Sequence, residues 1–368
     1  MKTPSIRNIL VPIDFSRMSI QAIETAKGFA QRFGATIHLA HVHQFYYPAG
    51  FTAPMPPVIP YSTYTYDQEA EKRAARDLNL LAKKHELSPS TAHLLTGAPA
   101  FDDICRLARE LPADLIVMPT HGRTGLKHVF LGSTAERIVQ HSPCPVLVLR
   151  PTKKQSKNAA RISINTILVP VDFSNCSLRG LTYAIGFAEK CAAKIILLHA
   201  VELGYAYTSD GYAMYDLSDL KKAAQKDAER QMKEFVKAAK FGRVPFETAI
   251  KTGPSVEEIS AFAKGHDVDL IITSTHGLTG FKHVLIGSTA EQVVRHAPCP
   301  VVVVPSHPEI RSAQLMRRPT RARRTKLRKT PRPIYSHETF TRKYRKLGLN
   351  PFPERRKTNK FRESHLSK

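Results

Sequence analysis

The chain has 368 residues, 42% hydrophobic and 23% charged, enough apolar material for ordinary cores, and no run approaches the roughly 18 apolar residues of a membrane-spanning helix. Its five cysteines, Cys105, Cys144, Cys176, Cys191 and Cys299, are odd in number and lack Cys-x-x-Cys spacing, which argues against a disulfide framework or a zinc site; the opening residues hold no long apolar leader, and a cytoplasmic location is expected. The formal net charge of +24 is uneven, because residues 306–368 hold 20 Lys+Arg against 4 Asp+Glu and so supply +16 of it.

In chain order, residues 6–13 form a continuous apolar run with β-branched residues, the pattern of a strand buried on both faces of a parallel sheet. Over residues 16–33, Ile20, Ile23, Ala26, Ala30 and Phe33 recur at spacings of three and four, which predicts an amphipathic helix that Gly34 closes. Residues 35–42 read as the second strand. The Pro- and Tyr-rich stretch 44–66 reads as a long loop, and 67–85 as a helix with a charged outer face. A strand over 91–95, a helix over 100–110, a strand over 113–118, a helix over 133–140 and a strand over 146–149 complete the set. This alternation predicts an α/β unit with a parallel sheet and right-handed crossovers.

The set then recurs. The segment THGRTGLKHVFLGSTAERIVQHSPCPVLVL, beginning at Thr120, returns at Thr275 as THGLTGFKHVLIGSTAEQVVRHAPCPVVVV, with 20 of 30 positions identical. NILVPIDFS at Asn8 returns as TILVPVDFS at Thr166, and Thr96-Gly97 returns as Thr252-Gly253. A spacing of 155 to 158 residues is the size of a small domain and far exceeds solenoid periods. Two domains are expected, 1–150 and 163–306, joined by a linker at 151–162 and followed by a tail at 307–368. That tail clusters Arg317, Arg318, Arg321, Arg323, Arg324 and Lys326, then places Pro331, Pro333, Pro351 and Pro353 among few aliphatic residues. It is expected to be largely disordered, with a short helix near 338–347.

Ligands of open parallel sheets sit beyond the carboxyl ends of the strands. Two features of each repeat fall there: the acid after strand one, Asp14 or Asp172, in the context Val-Pro-x-Asp-Phe-Ser whose proline is Pro12 or Pro170, and the loop after strand four. That loop runs from His121-Gly122 to Gly132-Ser133-Thr134, and from His276-Gly277 to Gly287-Ser288-Thr289. Its last glycine opens a helix, whose first N–H groups and positive dipole end suit an anion. Plain helix capping is the competing reading, both for this glycine and for the two acids. His141 and His296 fall in the last turn of their helix, where the dipole accounts for them, and Cys144 and Cys299 read as buried packing residues. No Ser/His/Asp triad, metal-spaced cluster or pair of carboxylates in one loop is present in the sequence.

ILVPxDFS, a His at the end of strand two (His41, His199), THGxTGxKHxxxGSTAExV and HxPCPVxVV together resemble the universal stress protein family in its tandem form, over almost all of residues 1–306. The resemblance implies two doubly wound, Rossmann-like domains, each with a five-stranded parallel sheet in the order 3-2-1-4-5, paired through their last strands as an internal pseudo-dimer. It also implies ATP, with or without Mg2+, as ligand. ATP-binding members carry Gly, two residues, Gly, nine residues, Gly, then Ser or Thr. Here the second and third glycines and the hydroxyl are Gly122, Gly132 and Ser133, and Gly277, Gly287 and Ser288, while Pro119 and Ser274 stand in place of the first glycine. By the same resemblance Asp14 and Asp172 would contact adenine or ribose, and Val42 and Ala200 would offer backbone groups to the base. Arg123 would add charge near the phosphates, where the second repeat has Leu278.

The leading expectation is a nucleotide-binding stress or regulatory protein without fast turnover, and not an enzyme. A slow ATPase or nucleotidyl transferase would need a metal-positioning acid and a base, which the loops do not supply beyond Asp14 and Asp172. A third reading makes the tail an RNA- or ribosome-binding element, since Tyr335, Phe340, Tyr344, Phe352 and Phe361 interleave its basic residues. No membrane partner is expected.

Overall fold

The structure, a computed structural model, describes residues 6–43, 68–97, 99–120, 131–150, 163–202, 217–275 and 287–306. All of them belong to one compact unit, Met1–Arg311. The loop expected at 44–66, the linker 151–162 and the tail 307–368 with its short helix lie outside the described residues.

The first repeat runs β1 (Asn8–Pro12), α1 (Arg17–Phe33), β2 (Thr36–His43), α2 (Gln68–Lys84), β3 (Ala92–Thr96), α3 (Ala100–Glu110), β4 (Leu115–Pro119), α4 (Ser133–His141) and β5 (Val146–Leu149). The second runs β6 (Thr166–Pro170), α5 (Asn175–Cys191), β7 (Lys194–Val201), α6 (Leu217–Ala238), β8 (Phe246–Thr252), α7 (Ser255–Gly265), β9 (Leu270–Ser274), α8 (Ser288–His296) and β10 (Val301–Val304). The strands form one sheet in the order β3-β2-β1-β4-β5-β10-β9-β6-β7-β8. Each repeat is therefore a parallel 3-2-1-4-5 sheet, and the α/β architecture read from the sequence is the one observed.

Alternation along the strands fills two cores. Ile9 and Val11 of β1 point into a layer with Ala26 of α1, Leu81 of α2, Phe187 of α5 and Phe235 of α6. Leu10, one residue on, points to the opposite face, with Leu107 of α3, Ile138 of α4, Phe262 of α7 and Val293 of α8. Helices cover both faces, so the strands read as unbroken apolar runs rather than alternating ones.

The repeats meet at β5 and β10, which pair antiparallel with Val146, Leu147 and Val148 opposite Val303, Val302 and Val301. On one face α1 meets α5, where the Phe187 ring lies 5.6 Å from Phe29 and 5.3 Å from Phe33, and Arg32 Nη1 donates to the Cys191 carbonyl at 2.9 Å. Arg150, just past β5, donates from Nη1 to the Ala297 carbonyl at 2.7 Å, and from Nη2 to the Arg295 carbonyl. Cys144 and Cys299 are buried, as expected, and burial pushes the Cys299 thiol up to about 12, so it stays protonated.

Fourth strands begin later than the apolar pattern suggested, at Leu115 rather than residue 113. Asp114 is the reason: its Oδ2 accepts the backbone N–H groups of Arg7 and Asn8 at 2.8 and 3.2 Å, closing the open start of β1. Asp269 does the same for Asn165 and Thr166 at 2.8 and 3.0 Å. One difference between the repeats has a measurable consequence. Gly34 ends α1 at φ 69°, whereas Ala192 ends α5 at φ 54°. A Cβ in the left-handed region is disfavoured, so Ala192→Gly is expected to stabilise the chain by about 0.5–1 kcal/mol, net of the greater backbone entropy of glycine. Urea denaturation of the variant would show an unchanged or lower midpoint if the cap were unstrained.

Candidate functional site

The chain order reverses between β1 and β4, which places a crevice beyond their carboxyl ends, with β2 on the other side of β1. Pro12 and Pro170 are the last residues of β1 and β6 and are half-buried; lacking an N–H, each ends its strand. After them the chain turns in the same way in both repeats. Asp14 Oδ1 accepts from the Ser16 N–H at 3.0 Å, and Asp172 Oδ1 accepts from the Ser174 N–H at 3.0 Å. Ser16 and Ser174, not the acids, are the helix caps, their hydroxyls accepting from the N–H of Ser19 and Ser177 at 3.2 and 3.1 Å. This corrects the capping alternative for Asp14 and Asp172: each braces the turn ahead of the cap, as carboxylates do in Asx turns.

Between acid and cap stands a residue the sequence did not single out. Phe15 and Phe173 have φ of 61° and 63°, a region that bulky side chains rarely occupy. Each ring lies against the histidine near the end of strand two, Phe15 on His41 at 4.6 Å and Phe173 on His199 at 4.3 Å. The same histidines hold the strand end: His41 Nδ1 donates to the Ile13 carbonyl at 2.7 Å and His199 Nδ1 to the Val171 carbonyl at 2.8 Å. A carbonyl only accepts, so Nδ1 carries the proton in both. The family histidine is thus a support for the turn that carries the acid. Val42 and Ala200, each next to it, are half-buried at the ends of β2 and β7.

On the far side of β1, Pro119 and Ser274 are the last residues of β4 and β9. Pro119 is buried, whereas Ser274 is half-buried. The loops that follow are outside the described residues, and with them Gly122, Arg123 and Gly277, as well as His121 and His276. Their far ends return to the strand, since the Gly132 N–H donates to the Thr120 carbonyl at 2.9 Å and the Gly287 N–H to the Thr275 carbonyl at 2.7 Å. Gly132 and Gly287 are the N-cap residues of α4 and α8, with φ/ψ of −61°/143° and −60°/142° and no side-chain cap bond. Any residue can adopt those angles, so what glycine contributes here is the missing Cβ. Ser133, Thr134, Ser288 and Thr289 open these helices and are exposed.

Both crevices therefore place an acid-bearing turn at the end of the central strand and an uncapped helix start beside it. Such a pair can receive a ligand with a polar ring system at one end and an anionic group at the other. His141 and His296 are at the opposite ends of α4 and α8. His141 stacks on Phe101 with 5.3 Å between centroids, and His296 Nδ1 donates to the Gln292 carbonyl at 2.9 Å. Among the described residues no group of three or more His, Cys, Asp or Glu is placed to hold a metal ion, and no helix is long and apolar enough to cross a membrane.

Comparison with known proteins agrees with the duplication. The sequence model of the universal stress protein family matches residues 5–150 and again 163–305. A universal stress protein of Methanocaldococcus jannaschii is 30% identical over 138 residues, 38% of this chain and 80% of the relative. A second from the same organism is 29% identical over 151 residues, 38% of this chain and 93% of its own length. Among solved structures, a universal stress protein from Archaeoglobus fulgidus aligns with a TM-score of 0.52 at 18% identity, covering 82% of this chain and 97% of its own. A functionally unknown protein from Pseudomonas aeruginosa aligns at 0.56 and 20% identity, covering 85% and 98%. At such identities the two structures speak for the fold alone.

Proposed function

The chain belongs to the universal stress protein family, in tandem form, and we propose that it binds ATP or a related nucleotide in its two crevices as a regulatory module without fast turnover. One observation supports this above the others: the same acid-bearing turn and the same uncapped, glycine-led helix start flank the switch point in both repeats. Adenine and ribose would lie at Asp14 and Val42, or at Asp172 and Ala200. The phosphates would lie at the starts of α4 and α8, where Ser133 and Thr134, or Ser288 and Thr289, offer backbone N–H groups and hydroxyls to an anion, and Gly132 or Gly287, its own N–H held by the Thr120 or Thr275 carbonyl, leaves room for it. Mg2+ would arrive with the phosphates rather than on a cluster of its own.

The two sites would differ in strength. Pro119 brings a ring and no N–H where the family pattern has glycine, whereas Ser274 brings a small polar side chain, which favours the second site. Arg123 against Leu278 favours the first. Among the described residues neither site sets a general base beside its acid, which supports slow turnover and a role as a sensor or store of nucleotide, in the cytoplasm. Equilibrium ATP binding to the full chain tests the reading: binding is expected, and its absence would overturn it. Hydrolysis well above that of a D172N/S288A chain would instead revive an enzymatic role.

A second reading concerns residues 306–368, whose 20 basic residues against 4 acidic ones, interleaved with aromatics, suit phosphate contact and base stacking. RNA affinity of the full chain is expected to fall by on the order of 1,000-fold between 50 and 200 mM salt, as for six or more phosphate contacts. Truncation after Ser306 should remove the binding; retention by the truncated chain would dispose of the tail's role.

A further inference from the structure

We propose that Arg295 is a positioning residue shared by both crevices, one guanidinium that neutralises the first-turn carboxylates of the two anion-facing helices; this rests on the nucleotide reading above. Glu136 is the fourth residue of α4 and Glu291 the fourth of α8, so each lies within a turn of the helix start that would meet the phosphates. Arg295 Nη2 stands 3.4 Å from Glu136 Oε2 and 2.5 Å from Glu291 Oε1. The three side chains are 22, 32 and 24% exposed, so solvent screens the triad only in part.

The arrangement is built from both repeats but supplied once. Arg150 of the first repeat holds the backbone carbonyls of Arg295 and Ala297, fixing the end of α8 from which the guanidinium reaches across the seam. At the matching position of α4 stands Gln140, which donates from Nε2 to Glu136 Oε1 at 3.4 Å and carries no charge; the match of Arg150 is Pro305. Among the described residues Arg295 is the cation paired with Glu136 and with Glu291, so without it each carboxylate would meet an incoming phosphate with that pairing lost. A like charge on the order of 8 Å from the anion, in a medium between protein and water, weakens binding by roughly five-fold.

The test is ATP titration of the full chain in G287V and G132V backgrounds, which report the first and second crevice in turn. Adding R295Q should weaken both by about five-fold, whereas R295K should keep near-native affinity. Neutralising one acid separates the sites: R295Q/E136Q should recover the first crevice alone and R295Q/E291Q the second alone. Should R295Q by itself not fold, the R295Q/E136Q chain, which leaves only Glu291 without its cation, still reads the second crevice, where the loss must persist. ATP binding by the unmodified chain that R295Q leaves unchanged at both crevices overturns the proposal and spares the nucleotide reading. Failure of the unmodified chain to bind ATP overturns both.

Discussion

Val302→Lys should unfold the chain or leave it marginal, with a loss of about 4 kcal/mol or more from a total that for domains is about 5–15 kcal/mol. Val302 is 0% exposed, sits in the middle of β10 and lies opposite Leu147 of β5. Its neighbours on that face, Leu147, Leu149 and Val304, are apolar and buried, so an ammonium there has no carboxylate among them to pair with. The strand is also the join between the repeats. A charge at this point therefore strikes a core layer that both repeats share, whereas one at an outer edge does not. Phe246→Lys on β8 is the comparison, because Phe246 is 41% exposed and stacks on Phe241 at 3.9 Å; its cost should stay near the 1 kcal/mol of a surface aromatic contact. Urea denaturation of the two variants decides the matter: equal midpoints would mean that the β5–β10 seam does not unite the repeats.

The sequence carried the strands because their environment is uniform. Ile9, Leu10 and Val11 face two different cores and are apolar for two different reasons, yet both produce the same unbroken run. Helix positions were legible for the opposite reason, since each helix buries one stripe and the spacing of three and four shows it. Details set by side chain to backbone bonds were not legible. Asp114 and Asp269 look like ordinary loop acids, and only their placement beside the open starts of β1 and β6 shows why the fourth strands begin late. Aspartate and serine both cap helices, so composition could not decide between Asp14 and Ser16; the turn geometry did. The strain at Phe15 and Phe173 leaves no mark on composition, though its supports, His41 and His199, stood out as motif residues. Arg295 was hidden by the repeat itself: alignment of the copies marks it only as a difference from Gln140, and its partner Glu136 lies 159 residues away.

Gly287→Val should lower ATP affinity at the second crevice by about 100-fold while leaving the fold intact. Two charge-assisted hydrogen bonds from first-turn N–H groups to a phosphate, at about 1.5–3 kcal/mol each, set that scale. The backbone angles of Gly287, −60° and 142°, suit valine, so the substitution should cost at most about 1 kcal/mol through the poorer cap. A Cβ and two methyls at the N-cap would stand where a phosphate must approach the N–H groups, and they offer no hydrogen bond in return. Thermal unfolding should therefore barely move while binding collapses, a separation that a purely structural glycine would not give. Gly132→Val should act alike on the first crevice, but from a weaker starting affinity if Pro119 hinders the ribose and phosphates more than Arg123 helps them. Isothermal titration of the two single variants reads each crevice in isolation, and an unchanged affinity in both would mean that the starts of α4 and α8 do not hold the phosphates. The order of the two remaining affinities then weighs Pro119 with Arg123 against Ser274 with Leu278: exchanging the first pair, as P119S and S274P, should shift it toward the first crevice, because the ring would then stand at the crevice that had been free of it.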